Sequence, residues 1–205
     1  MATPVDFFYG LGSRYSYLAS TQIAQLEAET GCRVRWRPLY SPDLFALRDA
    51  DPFQGKPVSG QYAWSYRGFD AACWADYYGV PFREPDDVEA DWRLLALAAT
   101  VADCLGAVEL YSRRLFAAVS VEDVSPLDAA ACLRLAGEVG LDQSAFGMAL
   151  EAPETAAALA ATVADAHALG AFGVPSFVLD GQVFWGNDRL PIVRHRLLKA
   201  RVMKP

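Results

Sequence analysis

The stretch Val5-Asp6-Phe7-Phe8-Tyr9, with Gly10-Leu11-Gly12-Ser13 directly after it, decides the fold of this chain. The first segment is rich in β-branched and aromatic residues, which predicts a strand, and the glycines that follow predict a turn. Residues 15–30 have the apolar spacing of a helix, and Gly31 stands just beyond it, where helices often end in a left-handed residue. Residues 33–38 alternate polar and apolar side chains up to a proline, which predicts a second strand. The opening is therefore β-α-β, a unit that normally joins two parallel strands by a right-handed crossover.

The middle of the chain has a different pattern. Residues 42–58 contain three prolines and one glycine, which predicts a loop with a short helical turn at 43–48. From residue 62 to residue 169 the chain is rich in alanine, and its apolar residues recur with the helical period. The predicted helices cover residues 63–78, 91–105, 108–119, 126–139, 143–150 and 153–169.

The end of the chain returns to strand patterns. Residues 176–179 and 183–185 flank Asp180-Gly181, a dipeptide typical of a two-residue hairpin turn. A final helix is predicted over residues 190–199, with basic residues near its end, where the helix dipole favours them.

These elements occur in the order β-α-β, helical block, β-β-α, which is the order of a thioredoxin-like sheet split by a helical insertion. We therefore predict an α/β fold in which residues 1–41 and 171–205 form a thioredoxin-like domain and residues 42–170 form an all-helical insertion domain. The 205 residues, 53% of them apolar and 21% charged, are enough for one domain with a large insertion. Such a chain buries roughly 70% of the surface that it exposes when unfolded, so disorder does not explain its function.

The charge, the hydropathy pattern and the cysteine content argue against several classes of function. The net charge of −7 argues against a nucleic-acid binder, because a polyanion is repelled. No apolar stretch approaches the roughly 20 residues of a membrane-spanning helix, and the first residues lack the pattern of an export signal. With two histidines and widely spaced cysteines, a zinc site has little support, and no metal is expected. We interpret the four cysteines as small buried apolar residues: Cys32, Cys73, Cys104 and Cys132. We expect the protein in the cytoplasm, with these thiols reduced.

The first candidate site is Ser13-Arg14-Tyr15-Ser16, where the first strand leads into a helix. The first N–H groups of a helix have no partner within it and carry the positive end of its dipole, so an anion is stabilised there. Redox enzymes of this architecture usually have a cysteine in the first position. Because Ser13 and Ser16 occupy the first and fourth positions, dithiol–disulfide exchange is excluded at this site. Ser13 either donates a hydrogen bond to the thiolate of another molecule or caps the helix, and it can do both.

Two further segments are candidates for ligand binding. In Gly173-Val174-Pro175-Ser176-Phe177, we expect a cis Val174-Pro175 bond that turns the backbone groups of Val174 toward a bound peptide; the alternative is an ordinary trans strand start. In the polar cluster after the last strand, Asn187 or Asp188 is either the N-cap of the final helix or part of a site for an amino-acid-like head group. In the second case the carboxylate of Asp188 would meet an ammonium group.

Taken together, in order and at matching spacing, these segments resemble the 2-hydroxychromene-2-carboxylate isomerase family. This family is related to kappa-class glutathione transferases and to the DsbA-like branch of the thioredoxin superfamily. The resemblance covers nearly the whole chain and rests on residues 6–7, 13–19, 35–38, Tyr66, Asp70, 74–75, 78–82, 172–177 and 184–190.

The resemblance implies a cytoplasmic, glutathione-dependent isomerase of aromatic catabolism that acts as a homodimer. Glutathione would present its sulfur to Ser13, the implied catalytic residue. The thiolate would add to a conjugated aromatic substrate, allow rotation about the former double bond, and leave again. Val174 would pair with the glutathione backbone, and the γ-glutamyl end would lie at the last cluster. The implied glutathione-binding residues are Ser13, Arg14, Tyr15, Val174, Asn187 and Asp188.

The chain departs from the family pattern at several positions. The family usually has a proline where this chain has Arg14, and a glutathione-contacting lysine falls on Ala63. Lys56 stands in place of an asparagine, and Cys73 in place of an arginine. Two other functions stay open: a kappa-type transferase that makes a stable conjugate, and a non-catalytic DsbA-like module that binds thiols or peptides. Four large aromatic residues could line a pocket for a planar substrate, but we interpret them as core or interface residues: Trp36, Tyr62, Trp64 and Tyr66.

Overall fold

The computed structural model describes residues 3–47, 64–84, 88–122 and 124–202. Within them, four strands form one mixed sheet: β1 (Pro4–Tyr9), β2 (Arg33–Pro38), β3 (Ser176–Leu179) and β4 (Gln182–Trp185). Their order in the sheet is β2-β1-β3-β4. Strand β1 is parallel to β2 and antiparallel to β3, which in turn pairs antiparallel with β4. The predicted α/β fold, a thioredoxin-like sheet with a helical insertion between its halves, is confirmed.

Helices make up most of the remaining described chain. They are α1 (Arg14–Thr21), α2 (Ile23–Thr30), α3 (Ser41–Ala46), α4 (Trp64–Tyr78), α5 (Trp92–Cys104), α6 (Val108–Ser120), α7 (Ala129–Glu138), α8 (Gln143–Glu151), α9 (Pro153–Ala168) and α10 (Leu190–Val202). Helix α7 begins later than the predicted residue 126, because the carboxylate of Asp128 accepts a hydrogen bond from the N–H of Ala131 and so caps it. Among the helices of the described residues, none combines the length and the apolar composition that a membrane-spanning segment needs.

The single helix predicted over residues 15–30 is wrong, because α1 ends at Thr21 and α2 begins at Ile23. The hydroxyl groups of Ser20 and Thr21 donate to the carbonyl oxygens three residues earlier, at 2.6 and 2.7 Å. Such bonds compete with the helical ladder. The N–H of Gln22 accordingly bonds to the carbonyl of Ala19, as in a tighter turn, and the helix is interrupted there.

The hairpin prediction at the end of the chain is confirmed. Asp180 and Gly181 both have positive φ, 51° and 72°, as a turn between β3 and β4 requires. The Val174-Pro175 bond is cis, as expected, and so is Ser125-Pro126, which no sequence pattern indicated.

The central strand β1 supplies the core on both faces of the sheet. Phe7 and Tyr9 are fully buried and stack with ring centroids 5.1 Å apart, and Trp36 of β2 meets Phe7 edge-on. Phe8 points to the opposite face, where it packs in a cluster with Leu44 of α3 and Val163 of α9. Because β1 is covered on both faces, its C-terminal end is held rigidly, and this end carries the loop described next.

The interpretation of the cysteines as buried residues is right for two of the four and wrong for the other two. Cys32 and Cys132 are buried, but Cys73 and Cys104 are exposed. Burial raises the pKa of Cys132 to about 11, so this thiol stays protonated at neutral pH.

Candidate functional site

One end of the sheet opens into a cleft of about 940 Å³. Three segments meet there: the loop 10–13 after β1, the loop 173–175 before β3, and residues 186–189 after β4. They converge because β1 and β3 are antiparallel, so the end of one strand lies beside the start of the other, with Phe8 opposite Ser176. The six residues that the family resemblance implies for glutathione binding all line this cleft: Ser13, Arg14, Tyr15, Val174, Asn187 and Asp188.

Ser13 is the N-cap of α1. Its Oγ accepts a hydrogen bond from the N–H of Ser16 at 3.2 Å, so the capping interpretation is confirmed. A hydroxyl has two acceptor lone pairs and one donor. Because the cap uses a lone pair, the O–H of Ser13 can still donate to an anion in the cleft. The two roles weighed for this residue are therefore geometrically compatible.

Ser16 has a purely structural contact. It is fully buried, and its Oγ accepts a hydrogen bond from the N–H of Gly10 at 3.3 Å, which ties the loop after β1 to the helix. Among the described residues, no cysteine lines the cleft. A thiol reaction in this cleft therefore needs a thiol from another molecule.

Arg14 lies in the cleft wall, only 4% exposed, and its Nη1 is 2.8 Å from the Oε2 of Glu84. The pair fits against Gly68 of α4, where a Cβ would lie 3.4 Å from the carboxylate and 3.8 Å from the guanidinium. A buried charge is tolerated only when it is paired. The arginine that replaces the family's proline thus comes with its own counter-ion.

Tyr15 connects α1 to α4. Its hydroxyl donates a hydrogen bond to Asp70 at 2.8 Å, and the guanidinium carbon of Arg67 lies 5.9 Å from the centre of its ring. Burial, with the nearby carboxylate of Asp70, raises the pKa of Tyr15 to about 12. Tyr15 is therefore a neutral donor at physiological pH.

The loop before β3 presents backbone to the cleft. The carbonyl of Pro175 accepts a bond from the N–H of Gly186 at 2.9 Å, which joins this loop to the segment after β4. Within the described chain, the N–H and C=O of Val174 form no backbone hydrogen bond, and this residue lines the cleft. The geometry agrees with an edge at which an extended ligand could pair.

The N-cap alternative for Asn187 and Asp188 is wrong. Both lie inside a 3₁₀ turn, Asn187–Arg189, whose cap position is Gly186, and no side chain caps it. Asn187 is 3% exposed, and within the described residues its Nδ2 has no hydrogen-bond partner. The exposed carboxylate of Asp188 pairs with Arg189 at 3.1 Å, so a ligand ammonium group would compete with that arginine.

The sequence analysis assigned no role to several cleft residues. Three of them line the cleft from one face of α4: Arg67, Asp70 and Trp74. Their i, i+3, i+7 spacing could have indicated from the sequence that they share a helix face. Trp92 also lines the cleft, so near the loop after β1 that a Cβ on Gly12 would lie 3.0 Å from its ring.

The aromatic residues that the sequence analysis considered, where they are described, do not line the cleft. Trp36 is a core residue, as interpreted, whereas Tyr66 is 48% exposed. Tyr62, Lys56 and Ala63 lie outside the described residues, as does the side chain of Trp64.

Comparisons with known proteins agree with this geometry. The family model of the DSBA-like thioredoxin domain matches residues 4–198. A 2-hydroxychromene-2-carboxylate isomerase of Sphingobium xenophagum is 28% identical over 208 residues, covering 97% of this chain and all of that protein. The solved structure of a 2-hydroxychromene-2-carboxylate isomerase superimposes with a TM-score of 0.80 at 22% identity, covering 97% of this chain and 96% of that one.

A second solved structure has the same fold. The cytosolic disulfide reductase DsbM from Pseudomonas aeruginosa, solved with GSH, superimposes with a TM-score of 0.65 at 20% identity, covering 97% of this chain and 98% of that one. The predicted resemblance and the prediction of an isomerase-like enzyme are confirmed.

Proposed function

Because this chain belongs to the DsbA-like thioredoxin domain family, we propose that it is a glutathione-dependent isomerase of the 2-hydroxychromene-2-carboxylate type. One observation carries the proposal: Ser13 caps α1 at the place where an anion is stabilised, in a cleft that no cysteine lines among the described residues. A site built to hold a thiolate, but without a thiol, takes its sulfur from a second molecule.

The chemistry follows from this placement. The O–H of Ser13 and the first N–H groups of α1 hold the glutathione sulfur as a thiolate by lowering the pKa of the bound thiol. The chromene ring opens first: the bond between carbon 2 and the ring oxygen breaks, the hydroxyl on carbon 2 becomes a carbonyl, and its proton passes to the phenol oxygen. The thiolate then adds to the conjugated double bond: a C–S bond forms, the carbon–carbon double bond becomes single, and its electron pair moves to the carbonyl oxygen. Rotation follows, then the electron pair returns, the double bond reforms and the C–S bond breaks. Glutathione is released unchanged, so no electrons are gained or lost overall.

The other cleft residues hold the tripeptide in this scheme. The backbone of Val174 pairs with the glutathione backbone. The buried Nδ2 of Asn187 donates to the γ-glutamyl carboxylate, which satisfies an otherwise costly buried donor. Asp188 accepts from the ammonium group after exchanging its contact with Arg189.

Calorimetry with reduced glutathione, followed by an absorbance assay of 2-hydroxychromene-2-carboxylate conversion, tests the proposal. We expect binding by the wild type, turnover only when glutathione is present, and a large loss of turnover in Ser13→Ala with the fold retained. Recovery of all added glutathione identifies an isomerase, whereas its consumption identifies a transferase. Absence of glutathione binding, or turnover without it, contradicts the proposal.

The proposal includes the oligomeric state of the protein and its cellular location. We expect a homodimer, which light scattering at micromolar concentration tests. A cytoplasmic location, where glutathione keeps thiols reduced, fits the four free cysteines.

A further inference from the structure

We infer that two copies of this chain associate through the solvent-facing side of α4, with the aromatic side chains on that side at the centre of the contact. The inference gives an interface to the homodimer expected under the proposed function, and it rests on that proposal only for the expectation of a dimer. Neither glutathione nor a substrate takes part in the contact.

Helix α4 has one side that packs on the protein and one that faces solvent. Ala71 and Ala75 are buried, and Asp70 accepts the hydrogen bond of Tyr15 in α1. Over residues 65–78, the exposed side chains recur at the spacing of a single helix face: Ser65, Tyr66, Phe69, Ala72, Cys73, Asp76 and Tyr77. We call these seven residues the α4 outer face.

The α4 outer face is apolar although it is exposed to solvent. Tyr66, Phe69 and Tyr77 are 48%, 67% and 77% exposed, and Asp76 is the charged residue among the seven. A solvent-facing helix side normally carries charged and polar residues. The exposed parts of the three aromatic side chains amount to roughly 300–500 Å², since each such side chain has about 150–250 Å² to bury. Apolar patches of this size are often functional.

A second copy of the chain matches the size pattern of the α4 outer face. A contact about a two-fold axis needs a surface that is complementary to itself. If two α4 helices run in opposite directions and cross at Cys73, Phe69 of one copy lies opposite Tyr77 of the other, because both are four positions from Cys73. The same pair then forms twice. The small side chains at the centre, Ala72 and Cys73, let the two helices approach closely.

Charge also favours a contact between copies at this face. Each chain has a net charge of −7, so two copies repel each other where their acidic surfaces meet. Because the α4 outer face carries a single carboxylate, that of Asp76, a contact there brings few like charges together.

The area and the order of the aromatic side chains suit the centre of an interface. A standard interface buries about 800 Å² of each partner, so the three aromatic residues supply about half of it, and polar residues around them supply the rim. The ring of Tyr77 lies edge-on to that of Trp74, with centroids 5.7 Å apart. This contact restricts the Tyr77 ring before association, so less freedom is lost when it is buried.

Light scattering and sedimentation at micromolar concentration test the inference. We expect the mass of a dimer for the wild type. Ala72→Glu places a carboxylate opposite its copy at the centre of the contact and should raise the dissociation constant of the dimer by about 100-fold. Phe69→Glu should act in the same direction. Both residues are exposed in the single chain, so thermal unfolding should show that the variants remain folded. The matched control is Met148→Glu on α8, which is 69% exposed and should leave the dimer intact.

The two exposed cysteines provide a second measurement. Bismaleimidoethane, a short cross-linker of thiols, should join two wild-type chains through Cys73, which lies at the proposed axis. Cys104→Ala, which keeps Cys73, should still be cross-linked. Cys73→Ala, which keeps the exposed Cys104 at the end of α5, should not.

Four results would overturn the inference. The first is a monomeric wild type, which would leave the α4 outer face to a different partner. The others are a dimer that neither Ala72→Glu nor Phe69→Glu weakens, a dimer that Met148→Glu weakens equally, and a dimer without a cross-link through Cys73. Because none of these measurements uses glutathione, a failure of glutathione-dependent turnover counts only against the proposed function.

Discussion

The hydroxyl of Tyr15 donates a 2.8 Å hydrogen bond to the carboxylate of Asp70, which lies 55 positions away in the chain. This bond joins α1, whose first turn forms the proposed anion site, to α4, which also lines the cleft. The two helices are therefore held together beside the cleft, so these lining side chains are in place before a ligand binds. Pre-organisation of this kind lowers the cost of ordering a ligand.

We expect Tyr15→Phe to lower the free energy of unfolding by about 1.5 kcal/mol, because a hydrogen bond to a charged group is lost. Thermal and urea unfolding measure the change. Asp70→Asn, which retains an acceptor, should cost less. An additive double variant, Tyr15→Phe with Asp70→Asn, would contradict a direct interaction between the two side chains.

Alkaline pH should destabilise the protein through its buried tyrosines. The pKa of Tyr15 is raised from 10.0 to about 12 by burial and by Asp70, so the folded state holds its proton more tightly than the unfolded state. The contribution to stability is complete below pH 10 and is lost as the pH rises to about 12. Burial raises the pKa of Tyr9 and Tyr111 as well. Urea unfolding between pH 9 and about 11.5 should show falling stability, less steeply in Tyr15→Phe; equal slopes would count against this account.

Ser13→Asp separates capping from anion binding. Aspartate is as good an N-cap as serine, so thermal stability should stay close to that of the wild type, whereas Ser13→Ala should cost about 1 kcal/mol. The added carboxylate repels a thiolate, so calorimetry should detect no glutathione binding to Ser13→Asp. Normal glutathione affinity in this stable variant would show that Ser13 has no contact with the sulfur.

Gly186→Ala should disrupt the segment that carries Asn187. Gly186 has a φ of 110°, and a Cβ there would lie 2.3 Å from the Oδ1 of Asp188. We expect a loss of about 1–3 kcal/mol of stability from backbone strain, together with weaker glutathione binding. Gly31→Ala is the matched control, because its φ is 69° but nothing lies within 4 Å. It should be destabilised while glutathione affinity, measured by calorimetry, is unchanged.

Glu84→Gln removes the carboxylate that accompanies Arg14 in the cleft wall. Because Arg14 is 4% exposed, we expect a loss of about 2–3 kcal/mol, below the usual value for a fully buried pair since Glu84 is 25% exposed. Asp165→Asn breaks the surface pair with Arg37 and should cost at most about 1 kcal/mol. Urea unfolding compares the two variants, and equal losses would contradict a special role for the buried pair.

Much of the architecture could be predicted from local sequence patterns. The strand β2, the Asp180-Gly181 turn and the cap at Ser13 follow from short-range rules: alternation, positive φ and the orphan N–H groups of a helix. The interruption at Gln22 was missed, because side-chain hydroxyl bonds overcame an apolar spacing that continues through it.

The sequence by itself determined the element order and the serine that stands where a reactive cysteine would be needed, since both depend on residue type and near neighbours. Tertiary structure alone decided that Tyr15, Arg67 and Asp70 meet in one cleft, and that Arg14 is neutralised by Glu84. These contacts join segments some 50 to 70 positions apart, as their hydrogen bonds and ion pairs show. Such a distance is set by how helices pack on the sheet, and no local pattern contains that information.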